Sequence, residues 1–414
     1  MRRAIVSIVL AGCFGEGPVP TTASDAPIVF VAPEPTDSSL TCTNSTYITS
    51  VAFGSDSGYA AIFPYGPELD SCGSVTAAAT VMAFPIDGSA PAGQMIGNAG
   101  MSTQGIPTPQ VALGSNGPLW VFDTPGQPAT TNVAEMGGAP LVIATGSGGG
   151  LGYLVGVVGD NVATSGNVQA SDPMSPNYPC CADQGGQQTQ PGELTAFTIA
   201  DGQVTATAPA TLSALSIGEL SSVIAASSQA IYFIEPKSPQ FGIEAVTATS
   251  TTELATIGPP TTGTIPVGLV ADDAHVAWAF AQDAQSTPLQ NGCSIYATAT
   301  GGGGSDLAPL FSSPNLSCMG LAIDPDAVYF AIVEERQESD CSGCSPYLHG
   351  VGVGRVDFQM RMFSSIAFDV AAIASGPRRV FTSAGDQNDL FVADPLAIAK
   401  IAKTAFGGRQ DIAP

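Results

Sequence analysis

Short runs of alternating hydrophobic and polar residues follow one another along the chain, separated by clusters of turn-forming residues. In VAFGSDSGY at 51–59, an aliphatic residue is followed by turn formers and then, at the ninth position, by an aromatic residue. Asp, Ser, Gly and Asn favour tight turns, and the aromatic supplies core area on the returning strand. This unit therefore predicts a β-hairpin. Copies occur at 51–59, 224–232, 270–278, 321–329 and 373–381, with looser copies at 111–119 and 143–151.

A second strand pair follows most copies of the hairpin unit. Segments 81–88, 194–202 and 293–302 each lead into a glycine turn, and a further short strand such as LAPLF (307–311) comes next. Four strands per repeat of roughly 50 residues are typical of a β-propeller. We predict an all-β fold, a β-propeller with seven four-stranded blades over residues 41–414. Six or eight blades, and a β-sandwich, remain alternatives.

The stretch 307–331, from LAPLF through GLAIDPDAVYFA, resembles the repeats of secreted β-propeller proteins common in myxobacteria. In those repeats an aliphatic-Ala-x-Asp hairpin ending in Val-Tyr-Trp follows a Gly-Gly strand, and Phe330 stands here in place of the Trp. The resemblance implies a propeller fold and export, but no particular activity.

Composition supports strands over helices. The chain contains 48 Gly and 33 Pro, and only 11% of its residues are charged, which favours turns and short strands. A helical period is visible only at 395–406.

The first twelve residues form a predicted signal peptide. Arg2 and Arg3 precede an apolar run much shorter than the roughly 20 residues that span a bilayer, which indicates a cleaved export signal. The sequence Leu10-Ala11-Gly12-Cys13 resembles the lipobox of bacterial lipoproteins, in which the cysteine is acylated and becomes the first mature residue. The resemblance implies lipidation of Cys13. The alternative is an ordinary signal peptide with an incidental cysteine.

The segment 13–40 is rich in Pro, Thr, Ser and Ala and is predicted to be a flexible tether. In many bacterial lipoproteins an aspartate after the acylated cysteine retains the protein at the inner membrane. Here Phe14 follows Cys13, so the resemblance favours the outer membrane or the cell surface.

The chain without its signal peptide is strongly acidic. Removal of Arg2 and Arg3 leaves nine basic residues against 35 acidic ones, a formal charge near −26, and no Lys or Arg occurs between Ala4 and Pro236. Such a surface repels nucleic acid and offers no basic patch for anionic lipids. Membrane attachment therefore depends on the lipid of Cys13. We expect a monomer without a cofactor.

Eight cysteines remain besides Cys13, an even number that indicates disulfides in an exported chain. Connectivity cannot be deduced from the sequence, and the CxxC spacing of the last two would also suit redox or zinc chemistry. A bond between adjacent cysteines would be strained, so Cys180 and Cys181 have the alternative of pairing elsewhere. We expect local pairs, namely Cys42–Cys72, Cys180–Cys181, Cys293–Cys318 and Cys341–Cys344.

The longest interruptions, 170–191 and 334–350, fall between the second and third strands of their blades and thus on one face of the disc. Rigid scaffolds carry function on their loops, so this face is the expected partner surface. Its candidate contact residues are Tyr178, Tyr347 and His349. On the opposite face, His275 beside Asp272 and Asp273 is expected to be a solvated turn residue.

The sequence contains no recognisable catalytic set, so we assign no catalytic residue. It has two histidines and no GxSxG motif, which argues against a catalytic triad and a His-rich metal centre. Asp386 with Asp389, and Asp324 with Asp326, offer oxygen ligands for calcium, but such clusters are usually plain turns, so we predict no metal site.

We predict a binding or scaffold module for a protein or glycan. The alternative is a hydrolase or lyase that acts on a neutral polysaccharide through carboxylates in the central channel.

Overall fold

The computed structural model describes 21 segments of the chain. Among these residues no helix is long and apolar enough to cross a membrane. The described residues are 27–33, 45–65, 77–102, 110–114, 116–124, 129–146, 153–158, 161–166, 192–200, 203–212, 224–237, 240–247, 250–258, 264–282, 292–302, 304–305, 307–336, 347–367, 381–384, 389–393 and 397–406.

Within these segments the secondary structure is 29 β-strands and one short 3-10 helix, Lys403–Ala405. The strands are β1 (Ile28–Val31), β2 (Ser45–Phe53), β3 (Ser57–Tyr65), β4 (Ala77–Pro85), β5 (Gln94–Ser102), β6 (Gln110–Gly114), β7 (Gly117–Thr124), β8 (Ala129–Glu135), β9 (Leu141–Gly146), β10 (Tyr153–Val158), β11 (Asn161–Gly166), β12 (Gly192–Ala200), β13 (Gln203–Leu212), β14 (Ile224–Ala226), β15 (Ile231–Lys237), β16 (Gln240–Val246), β17 (Thr251–Ile257), β18 (Thr264–Ala271), β19 (His275–Gln282), β20 (Cys293–Ala299), β21 (Gly304–Ser305), β22 (Phe311–Ser313), β23 (Ser317–Ile323), β24 (Ala327–Arg336), β25 (Tyr347–Asp357), β26 (Phe363–Ala367), β27 (Phe381–Ala384), β28 (Asp389–Ala393) and β29 (Ala397–Ala402).

The strands assemble into seven sheets that form a closed ring, and all their pairings are antiparallel except that of the two-residue strand β21, which pairs parallel with β17 at the edge of blade 4. Blade 1 contains β2–β5, blade 2 β6–β9, blade 3 β10–β13, blade 4 β14–β17, blade 5 β18, β19, β20 and β22, blade 6 β23–β26, and blade 7 β27–β29 with β1. The first strand of each blade contacts the first strand of the next, and β27 of blade 7 contacts β2 of blade 1. The predicted β-propeller is confirmed, and the described strands form seven blades.

Strand β1 completes blade 7 and closes the ring. It pairs antiparallel with β29, Ile28 lying opposite Ala399. Phe30 is fully buried, and its ring stacks on Phe84 of blade 1 with 4.7 Å between centroids. The prediction that 13–40 is entirely tether is therefore wrong for residues 28–31. The apolar IVFV segment was missed because its partner strand lies at the other end of the chain.

Five copies of the hairpin unit form the first hairpin of a blade, and two do not. The loose copy at 143–151 begins in β9 and ends before β10, so it spans a connection between blades 2 and 3. The copy at 373–381 ends at Phe381, the first residue of β27, and blade 7 makes its first hairpin from β27 and β28. Gly- and Ser-rich connections between blades have the same composition as hairpin turns. Composition therefore does not distinguish a connection between blades from a turn within a blade.

The core lies between consecutive blades. In β19, Trp278 and Phe280 pack in the cluster shared with blade 4, whereas Ala277 and Ala279 pack in the cluster shared with blade 6. Each second strand thus buries both of its faces, as expected for a strand in a stack of sheets.

The helical period at 395–406 predicts a helix that does not form. Ala397–Ala402 is strand β29, which hydrogen-bonds to β28 on one side and β1 on the other. Only Lys403–Ala405 is helical. Burial between two partner strands outweighs the helix preference of its alanines.

Candidate functional site

Successive strands of a blade run in opposite directions, so the connections lie on two faces. The turn face carries the connections between first and second and between third and fourth strands, such as 272–274 and 358–362. The insertion face carries the remaining connections, including 167–191 and 337–346.

The described strands of the inner ring carry no charged residue. Its seven described strands, β2, β6, β10, β14, β18, β23 and β27, contain no Asp, Glu, His, Lys or Arg. Neighbouring inner strands are joined by neutral contacts, as where Ser50 Oγ accepts from the Val111 N–H at 3.2 Å. These strands therefore offer no carboxylate, imidazole or cationic group to the channel.

On the insertion face, two of the predicted contact residues lie in a strand. Strands β24 and β25 remain paired as far as Glu334 opposite His349 and Arg336 opposite Tyr347. The prediction that Tyr347 and His349 lie in a loop is therefore wrong, and the connection itself shortens to 337–346. The pairing passes a register shift between Ile332 and Val333 and continues to the end of β24.

The remaining predicted site residues lie outside the described residues. They are the contact residue Tyr178, the disulfide candidates Cys42, Cys72, Cys180, Cys181, Cys341 and Cys344, the lipidation site Cys13 and the calcium candidate Asp386.

The predicted disulfide between Cys293 and Cys318 is confirmed. Cys293 begins β20 of blade 5, and Cys318 is the second residue of β23 of blade 6, so the bond joins two blades at their ends towards the insertion face. Each cysteine is only 2% exposed. The disulfide is a buried structural link.

A cluster of charged residues lies at the end of blade 4 towards the insertion face. The ammonium of Lys237 is 2.5 Å from the Glu244 carboxylate and 3.6 Å from that of Glu235, and it also pairs with Glu253. Glu244 is 95% buried, since only 5% of its surface is exposed. Hydrogen bonds to Glu244 and Glu253 raise the pKa of Lys237 above its usual range, and the bond from Lys237 lowers the pKa of Glu253.

The Lys237 cluster is a structural ion-pair network rather than a reactive site. A Cβ at Gly242 would lie 3.0 Å from Lys237 Cε and 3.1 Å from Glu244 Oε1, so glycine leaves the space that this pair occupies. A lysine with a raised pKa stays protonated and is a poor nucleophile. Its positive charge partly compensates carboxylates that would otherwise repel one another.

On the turn face, Asp324 joins blade 6 to blade 7. Its Oδ1 accepts the backbone N–H groups of Asp326 and Ala327, and its Oδ2 accepts from the Tyr329 hydroxyl at 2.9 Å and from Lys403 Nζ at 2.7 Å. Lys403 follows β29 in blade 7. The calcium hypothesis for Asp324 and Asp326 loses support, because protein donors already occupy the Asp324 oxygens.

Asp389, the other described calcium candidate, has a similar protein partner. Its carboxylate lies 3.2 Å from the ammonium of Lys400 on the neighbouring strand. Among the described residues, no group of three or more His, Cys, Asp or Glu is arranged to hold a metal ion.

Blade 5 repeats this turn with different partners. Asp272 Oδ1 accepts the N–H groups of Ala274 and His275, as Asp324 does one blade later. The His275 ring stacks on Phe358 of blade 6, with 4.2 Å between centroids. The prediction that His275 is a solvated turn residue is wrong, because His275 is the first residue of β19, is only partly exposed and forms part of a contact between blades.

Sequence reasoning missed both of these charged contacts. The Lys237 carboxylates come from three different strands, and Lys403 stands 79 residues from Asp324. The only sequence signal was the scarcity of basic residues, which makes each lysine a probable counter-ion for several carboxylates.

Comparisons with known proteins find similarity in structure alone. No protein-family model matches the sequence, and no curated protein matches it. The β-propeller domain of the Trilobed protease from Pyrococcus furiosus superposes with a TM-score of 0.51 at 8% identity, covering 90% of this chain and 97% of that one.

Acylaminoacyl peptidases are similar to the same degree. The Pyrococcus horikoshii protein superposes with a TM-score of 0.51 at 11% identity over 90% of this chain and 53% of its own. A second acylaminoacyl peptidase gives 0.51 at 9% identity over 89% and 52%. This chain spans about half the length of those peptidases, and likeness at such low identity shows the propeller fold alone.

Proposed function

We propose that this chain is a lipid-anchored β-propeller of the bacterial cell envelope that binds a protein or glycan partner through its insertion face. The observation that carries the binding role is the uncharged inner ring. With no Asp, Glu, His, Lys or Arg in the seven described inner strands, the connections are left as the place for specific recognition.

The same observation argues against the enzyme alternative. Hydrolysis of a polysaccharide by carboxylates needs an acid and a second carboxylate on either side of the scissile bond. The described inner strands supply neither. The buried carboxylate nearest to the insertion face, Glu244, is paired with Lys237.

Lipid anchoring is tested by substitution of the acylated residue. We expect wild-type protein in the membrane fraction and Cys13→Ser protein in the soluble exported fraction, because the acidic surface has no other means of holding an anionic membrane. Labelling with a radioactive fatty acid should disappear in the same variant. Membrane retention of Cys13→Ser protein would contradict the anchor.

The binding face is tested by site-specific photo-crosslinking in intact cell envelopes. A photoreactive residue at Gln240, an exposed position beside the connection between β15 and β16, should give protein or glycan adducts. The matched position is Ala139, an exposed residue of the turn face. Equal adducts at both positions, or adducts at Ala139 alone, would refute the insertion face as the partner surface.

A further inference from the structure

Several large apolar side chains are exposed at the turn face of the disc. Among the described residues, six large hydrophobic side chains each expose between 41% and 54% of their surface. They are Val31, Met95, Leu113, Met136, Val142 and Met360.

Five of the six lie at or beside the turn face. Met136 and Met360 stand in connections between third and fourth strands, and Leu113 is the next-to-last residue of β6, before the connection between the first and second strands of blade 2. Met95 and Val142 are each the second residue of a fourth strand, just after the turn that leads into it.

Val31 is the exception. It ends β1 opposite Ala397, the first residue of β29, and only its backbone N–H reaches the turn-face connection of blade 1, where it donates to the Pro91 carbonyl. Blade 2 alone supplies Leu113, Met136 and Val142, so part of this apolar set is clustered within one blade.

The chain enters the fold at the same face. The Lys400 N–H donates to the carbonyl of Pro27 at 3.0 Å. Lys400 lies three residues before Lys403, which is on the turn face. The carbonyl oxygen of Ile28 lies 3.4 Å from the position of a Cβ at Gly88, in the turn-face connection of blade 1. The segment before residue 27 therefore starts from the turn-face rim between blades 7 and 1.

This position limits how far the disc can stand from a lipid on Cys13. Thirteen residues separate Cys13 from Pro27. A segment of that length reaches at most about 50 Å when fully extended, and about 20 Å root-mean-square as a flexible coil. The turn face is therefore the face that the anchor holds close to the membrane.

We propose that the turn face rests on the bilayer surface, with the apolar side chains of blades 1 and 2 in contact with the interfacial region. The inference rests on the proposed lipid anchor. The membrane surface that the turn face contacts is zwitterionic. The charged residues described at this face in blades 1 and 2 are Asp56, Asp87 and Glu135, all acidic, and anionic headgroups would repel them. The insertion face then points away from the membrane, towards its partner.

The experiment uses the full-length lipidated chain reconstituted in phosphatidylcholine vesicles that carry a nitroxide on some headgroups. A fluorophore is attached to Ala139→Cys on the turn face or to Gln240→Cys on the insertion face, with labelled parent protein as the blank. We expect strong quenching at the first position and little at the second. Replacement of part of the lipid by phosphatidylglycerol should reduce the quenching at the first.

Two pairs of substitutions test the apolar contact itself. Met136→Ser with Val142→Ser should weaken the quenching at Ala139→Cys by at least about threefold, since interfacial binding scales with buried apolar area. Met136→Leu with Val142→Ile keeps the side chains apolar and should leave the quenching unchanged. Both pairs are exposed, so thermal unfolding should confirm an intact fold.

Flotation of the vesicles separates the two ways in which the idea can fail. A chain that does not float, and behaves like its Cys13→Ser variant, lacks the anchor and overturns the proposed attachment together with this inference. A chain that floats but shows equal quenching at both positions, or no response to the serine pair, keeps the anchor and overturns only the membrane contact.

Discussion

The ammonium of Lys403 lies 2.7 Å from the carboxylate of Asp324, and this ion pair joins the last blade of the propeller to the sixth. Both side chains are largely buried, with 12% and 15% of their surface exposed. The Tyr329 hydroxyl donates to the same carboxylate oxygen, and Lys403 lies 5.4 Å from the centre of the Tyr329 ring. The contact holds the C-terminal end of the described chain against the ring.

Substitution Lys403→Met should lower the free energy of unfolding by about 1–3 kcal/mol, because it leaves the largely buried Asp324 carboxylate without its counter-ion. Chemical denaturation measures the change. The double variant with Asp324→Asn should recover part of the loss, since an amide oxygen can still accept from Tyr329 and needs no cation. Equal stability of the single variant and wild type would show that the pair contributes nothing.

The same contact predicts a loss of stability in acid. Burial alone would raise the pKa of Asp324, but hydrogen bonds from Lys403 and Tyr329 outweigh it and lower the pKa below its ordinary value. A carboxyl with a lowered folded pKa stabilises the fold above its unfolded pKa of about 4 and loses that effect as the pH falls through the folded pKa. Thermal unfolding of wild type and Asp324→Asn below pH 5 should show a shallower decline for the variant.

At high pH, Tyr329 should limit stability. Burial, and then the nearby Asp324 charge, raise the pKa of Tyr329. Its contribution is complete below the unfolded pKa of about 10 and is lost as the pH rises towards the folded pKa. Melting temperatures between pH 9 and 12, a range set around the ordinary tyrosine value, should fall less steeply in Tyr329→Phe. Parallel curves for the two proteins would contradict the assignment.

Two truncations test strand β1. A chain that starts at residue 27 keeps β1 and should unfold like the mature protein. A chain that starts at residue 34 loses the buried Val29 and Phe30, which should cost about 3–6 kcal/mol at roughly 1.5–3 kcal/mol for each side chain.

Loss of β1 should also expose Phe84 and Phe391 and increase the binding of a hydrophobic dye. Chemical denaturation and dye fluorescence measure these effects. Identical stability of the two truncations would show that blade 7 closes without its fourth strand.

A glycine of blade 6 provides a test of packing. A Cβ at Gly354 would lie 2.4 Å from the ring of Phe330, so Gly354→Ala should destabilise the fold by about 1–3 kcal/mol. Gly301, on the turn face, has no atom within 4 Å of its Cβ position, and Gly301→Ala should change stability by less than about 0.5 kcal/mol. Denaturant melts of the two variants provide the comparison, and equal effects would contradict the packing argument.

Much of the fold could be predicted because the repeated hairpin is local. The turn residues and the aromatic of 321–329 lie within nine positions, and the structure forms that hairpin from β23 and β24. The copies at 143–151 and 373–381 failed because a connection between blades has the same local composition. Strand β1 was missed for the opposite reason, since its pairing with β29 is invisible to any local pattern.

The charged contacts were less predictable than the strands. Asp324 and Asp326 suggested calcium, because the sequence shows oxygen ligands but not which cation reaches them. The cation is Lys403, brought across the blade interface from 79 residues away. Cys293–Cys318 was predictable because its two ends are only 25 residues apart.

The sequence by itself determined the all-β class and the four-stranded repeat, because these follow from local alternation and from residue identity. The tertiary structure alone decided how the ring closes, which strands form its uncharged inner ring, and which lysine neutralises which carboxylate. Those features depend on contacts between blades that are distant in sequence, and only the closure of the ring brings them together.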